Sequence, residues 1–157
     1  MSFNAPHIDY AGLSPVIALT AGMCIVLMVG LFRWPRWVLP AETIAVLAAT
    51  AGLAIWQWDS QEDLVSGALR LDAFGLAVCL IACLAAAVVV VMSIREPAAE
   101  EAGLGAFYGL LLGSVLGMTL IAQAQNLIAF FVALELLSIP LYVLCASARR
   151  TERSLES

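Results

Sequence analysis

Residues 102–134 read AGLGAFYGLLLGSVLGMTLIAQAQNLIAFFVAL, 33 consecutive positions without a charged side chain. A helix crosses the hydrocarbon core of a bilayer in about 20 residues. The stretch is too long for one crossing and has to fold back on itself. Gln123-Ala124-Gln125-Asn126 marks the place, and Asn126 is suited to cap the helix that follows. Two spans result, about 103–122 and 127–148.

Three similar runs lie upstream, about 11–32, 38–58 and 73–94. The spans predict a five-helix transmembrane bundle over 11–148, an all-α membrane protein. Composition agrees. Hydrophobic residues make up 63% of the 157 residues, charged ones only 12%, and mean hydropathy is +1.00. These values exclude both a soluble globular domain and a disordered chain. The runs lack the strict alternation of barrel strands, and a lipid-facing helix satisfies its own backbone hydrogen bonds.

The breaks between runs are polar. Arg33-Trp34-Pro35-Arg36-Trp37 ends the first, and Pro40 and Glu42 are expected in the first turn of the second helix. An acidic loop runs from Asp59 to Asp72, and Arg95-Glu96-Pro97 leads to Glu101. With five crossings, one side collects Arg33, Arg36, Arg95, Arg149, Arg150 and Arg153, and the other only Arg70. Positive residues mark the inner side. Residues 1–10 are thus expected as an outside leader, and 149–157 as the cytoplasmic start of a further loop. That leader has no Lys or Arg and so lacks the basic segment of a secretory signal. Trp34, Trp37, Trp56 and Trp58 fall at span ends, as an aromatic belt would.

The chain has seven Arg, no Lys and a net charge of −5, which gives nucleic-acid binding no support. Cys24, Cys79, Cys83 and Cys145 lie in apolar runs and read as small hydrophobes. With His7 the single histidine, no metal set is expected. No nucleophile–base pair, glycine-rich phosphate loop or cofactor-anchoring set is visible.

Glu135 is the only charge in the last span and sits near its middle, roughly 12–13 Å from the outer end. A carboxylate at that depth has to be paired, hydrated or protonated, and such groups are commonly proton or ion relays. Pro140 cannot donate to the Leu136 carbonyl. With Ser138 nearby, that freed carbonyl is expected to support water beside Glu135. Gly105, Gly109, Gly113 and Gly117 line one face of the fourth helix and predict close helix packing. Asp72 is expected to cap the third helix, with Arg70 as an interface anchor.

Several of these segments resemble a known family. Arg70-Leu71-Asp72-Ala73-Phe74 is similar to an R-x-D-x-F stretch before a third helix, and Phe107-Tyr108 through Asn126-Leu127 to a fourth helix and its turn. Glu135-Leu136-Leu137-Ser138-Ile139-Pro140-Leu141 is similar to E-L-x-S-[IL]-P-L on a fifth helix, and Arg153-Ser154-Leu155-Glu156 to the R-S-L-E that follows it. The family is the antiporter-like membrane subunits of respiratory complex I, NADH:quinone oxidoreductase, and within it subunit N, the counterpart of mitochondrial subunit 2. The motifs cover residues 69–157; residues 11–68 match in helix placement and hydropathy alone.

The resemblance implies a fourteen-helix antiporter-like subunit of which this chain is the N-terminal third. It implies a proton relay at Glu135, paired with a lysine on a later helix and coupled to redox chemistry elsewhere in the complex. It further implies other complex I membrane subunits as partners and no cofactor in this chain. The apolar spans make the lipid bilayer a partner too, and the absence of a targeting segment fits a bacterial inner membrane, with an organelle-encoded origin as the alternative. The chain alone is not expected to catalyse or pump. A related cation/proton antiporter or membrane hydrogenase, and a non-transporting membrane scaffold, are the alternative readings.

Overall fold

The structure, a computed structural model, describes residues 10–32, 35, 37–59, 62–64, 67–94 and 103–155, without the side chains of 62, 63 and 147–155. Residues 1–9, Arg33, Trp34, Arg36 and 95–102, with nearly all of the expected leader and three of the arginines used for orientation, lie outside them. Five helices follow in order: α1 (Ser14–Gly30), α2 (Val38–Trp56), α3 (Ala73–Ser93), α4 (Leu104–Gln123) and α5 (Leu127–Leu155). Four are long and apolar enough to cross a membrane, and α1 is a shorter apolar helix of 17 residues.

Local chemistry sets the helix ends. The Asp72 side chain accepts from the Gly75 N–H at 2.7 Å, and Asn126 Oδ1 accepts from the Ala129 N–H at 2.7 Å. Each satisfies a donor that the first turn of a helix leaves free. α2 begins at Val38, two residues before Pro40, so Glu42 is its fifth residue and not in its first turn. Pro40 is still tolerated, because the first four N–H groups of a helix have no partner within it. α5 continues past the expected end at 148, through Arg149 and Arg150 to Leu155. Arginine ends a membrane span by charge, but it is a good helix former and does not end the helix.

The acidic loop holds a short hairpin. β1 (Glu62–Leu64) pairs antiparallel with β2 (Leu69–Leu71), Glu62 opposite Leu71 and Leu64 opposite Leu69. Leu64 and Leu71 are fully buried. Leu69 also bridges to Ala124, and the Gln125 N–H donates to the Ala68 carbonyl at 3.0 Å. The α2–α3 and α4–α5 connections thus meet at one end of the bundle, as alternate crossings require.

α4 is the axis of the bundle. It packs against α1, α3 and α5 and touches α2 and β2, whereas the extensive contact of α5 is with α4. The core holds Leu19 and Val26 of α1, Leu47 of α2, Leu76 and Val90 of α3, and Tyr108 and Leu112 of α4. The glycine face of α4 is shared by two helices. A Cβ at Gly105 would stand 2.5 Å from Gly30 Cα in α1, and one at Gly117 would stand 2.7 Å from the Leu137 nitrogen in α5. Side chains at these points would push backbones apart, so the glycines set the helix spacing.

Most buried hydroxyls are satisfied within their own helix. Thr43, Thr50, Ser114 and Thr119 each donate to the carbonyl four residues earlier, at 2.8–2.9 Å. Ser93 is an exception, because its Oγ also lies 3.1 Å from the buried Tyr108 hydroxyl and ties α3 to α4. The Gln57 amide ties α2 to α1 by donating to the Ala11 carbonyl and to Ser14 Oγ.

Candidate functional site

α5 places the motif residues on two different sides. Ala133 and Pro140 are buried towards α4, and Pro140 Cγ would lie 3.3 Å from a Cβ at Gly113. Glu135 is five residues before Pro140, about 140° around the helix. It is exposed on the side away from α4. Ser138 shares the Glu135 side and is half-buried, and its hydroxyl donates to the Leu134 carbonyl at 2.7 Å. The structure therefore brings Glu135 and Ser138 together on one side of α5 and turns Pro140 to the other.

The lack of a proline N–H leaves the Leu136 carbonyl without its usual donor four residues on. α5 nevertheless runs unbroken through Pro140. The ring packs into the space that Gly113 leaves, which makes Pro140 part of the α4–α5 contact.

Charge around Glu135 is sparse. Among the described side chains the one basic group is Arg70, which is exposed on β2 beside the α4–α5 turn. Glu135 begins the third turn of α5, about 12 Å from that end. Its neighbours on the outward side are apolar or carry hydroxyls: Phe131 at 59% exposure, Ser138, and Tyr142 at 73%. A carboxyl at this depth turned away from its own bundle has to be paired, hydrated or protonated on its outward side.

Other polar groups are buried with one atom unpartnered. These are Glu42 Oε2, Gln57 Oε1 and Gln123 Oε1. Gln123 closes the end of α4 over Gly75, where a Cβ would come within 2.8 Å of its Cγ. Sequence reasoning missed Gln57 as the clasp between α2 and α1, and Gln123 as the side chain packed over Gly75 of α3. Their one visible signal is an amide at the end of an apolar run.

No family model matches the chain. Curated proteins do. NADH-quinone oxidoreductase subunit N 1 of Koribacter versatilis is 31% identical over 95% of this chain and 32% of its own length. NADH-quinone oxidoreductase subunit N of Halorhodospira halophila is 36% identical over 100% of this chain and 33% of its own length. The chain is a homologue of NADH-quinone oxidoreductase subunit N. NAD(P)H-quinone oxidoreductase subunit 2 of Gloeobacter violaceus, at 32% identity, covers 100% of this chain and 31% of its own length. The chain thus spans about a third of the curated subunits it matches. The alignments reach beyond the motif-bearing half, so the likeness to subunit N includes α1 and α2, where sequence patterns offered hydropathy alone. With its apolar helices, the subunit N homologue is a multi-pass membrane protein.

Proposed function

We propose that this subunit N homologue is part of the membrane arm of a proton-translocating NADH:quinone oxidoreductase, with Glu135 as a midplane proton-relay carboxylate. The observation that carries the reading is the position of Glu135. It is the lone charge of an apolar span and faces away from the helices that hold that span in place. A carboxylate serving only to join α5 to its bundle would point towards α4. One serving transport needs a partner beyond it, and relay carboxylates in membranes face such interiors.

In this reading the counter-charge is a lysine from outside these 157 residues, since the chain has none. The outward side of α5 packs against that remaining part of the subunit, and other membrane subunits of the complex and lipid surround the bundle. Electrons, quinone and nicotinamide are handled elsewhere, and this chain supplies a proton site and the rigid α1–α4 frame that holds it. The bacterial sources of the relatives and the arginine distribution support a bacterial inner membrane, with the N-terminus outside and the end of α5 in the cytoplasm.

The test is Glu135→Gln, which keeps size and hydrogen-bonding capacity and removes the ionisable proton. In vesicles of membranes carrying the complete complex, proton pumping per NADH oxidised is expected to fall at least about tenfold with assembly unchanged. Unchanged pumping would leave Glu135 a buried post between helices, which is the scaffold reading.

A further inference from the structure

The polar groups of α5 form a line. Glu135, Ser138 and Tyr142 follow at i, i+3 and i+7, which sets all three on one side of the helix. The side is the outward one: Glu135 is exposed, Ser138 half-buried and Tyr142 exposed. Towards the start of α5 the same side changes character. Leu127, Ile128 and Phe131 are exposed and apolar, and with Phe130 and Leu134 they line a groove that offers no polar side chain. Hydrogen-bonding groups therefore lead from Glu135 in one direction only, towards the C-terminal end of the span.

Spacing allows these groups to communicate. Glu135 and Tyr142 are about 10 Å apart along the axis. Helical side chains lean towards the N-terminus, so the Tyr142 ring lies back over the turn of Ser138 and carries its hydroxyl towards Glu135. The phenol shortens the gap from its own end; the Glu135 carboxylate leans the same way along the helix, so bridging waters complete the connection. Ser138 stands between them. Its proton is committed to the Leu134 carbonyl, so its oxygen keeps lone pairs free to accept. A tyrosine hydroxyl at membrane depth also needs a polar partner, which a phenylalanine of the same shape would not.

We infer that Tyr142 is a positioning residue for Glu135: its hydroxyl, with Ser138 between, orders the hydrogen-bonded path by which Glu135 exchanges its proton along the C-terminal half of α5. The inference rests on the relay reading of Glu135 given above. The Tyr142 oxygen and each bridging water accept one proton and pass one on, while Ser138 holds them in line by accepting a hydrogen bond. The net change is one proton gained by the Glu135 carboxylate and one taken from water at the far end, with no covalent bond between heavy atoms made or broken.

Tyr142→Phe removes one oxygen and keeps the ring. In vesicles holding the complete complex, NADH-driven proton pumping is measured in H2O and in D2O, with rates expressed per assembled complex. The expected result is a pumping rate lower by at least about threefold and a larger slowing in D2O than in the unaltered protein, because proton entry then limits the rate. An unaltered rate overturns the inference. So does a lowered rate with an unaltered D2O effect, which would mark Tyr142 as a packing residue. Glu135→Gln measured beside it separates the two readings. Unchanged pumping there removes the relay itself and this inference with it. Lost pumping there, with Tyr142→Phe unaltered, removes only the role of Tyr142.

Discussion

α4 and α5 are both apolar spans, yet they are used differently. Of the membrane-spanning window, 56% of α4 is buried inside the bundle and only 11% of α5. α4 meets neighbours on most of its circumference and contributes glycines and self-satisfied hydroxyls. α5 is held by one narrow face, Ala133 and Pro140 against the Gly113–Gly117 side of α4, and turns the one charge of its apolar span the other way. The contrast teaches that close packing and the midplane carboxyl have been placed on separate helices. α4 carries no charged side chain, and Glu135 sits on the outer side of the helix packed against it.

The sharpest way to break the comparison is at the α4–α5 crossing. Gly117→Leu would drive a side chain into the Leu137 backbone. Overpacking of that kind costs about 1–3 kcal/mol or more. The amount of assembled complex on native gels is expected to fall severalfold, since α5 would lose the contact that fixes it. A smaller effect is expected at the α4–α5 turn. Asn126→Ala removes the acceptor of the Ala129 N–H and should lower the stability of the purified complex by about 1 kcal/mol, read as a reduced Tm. The smallest is expected at Gly52 of α2, where nothing lies within 4 Å of an added Cβ. Gly52→Ala should leave assembly level and Tm unchanged within about 0.5 kcal/mol. A Gly52 effect equal to that of Gly117 would erase the distinction between crowded and open helix faces.

Much of the fold was legible because the sequence is punctuated by polarity. The uncharged stretch 102–134 had to turn, and Gln123–Asn126 was the one place to do so. Asp72 and Asn126 were readable as caps because their side chains act locally. The hairpin was not readable, because two three-residue strands carry no usable period and their pairing is long-range through Leu69 and Ala124. The apolar span of α5 is readable from the arginines that follow it, but the helix runs on to Leu155, because arginine ends hydrocarbon without ending a helix. At the site, Glu135 stood out by charge alone. Its direction did not, since a helix apolar all round gives no periodic signal of which face is packed. The role of Pro140 in the α4 contact and the company of Tyr142 became visible only once that face was known.

The central claim is that Glu135 changes protonation while the enzyme turns over. Infrared difference spectroscopy of the complete complex, recorded between its resting and NADH-reduced states, reads the carboxyl C=O stretch directly. The account predicts a carboxyl band that appears on reduction, shifts in D2O and is missing in Glu135→Gln. An identical carboxyl region in the unaltered protein and in Glu135→Gln would contradict it.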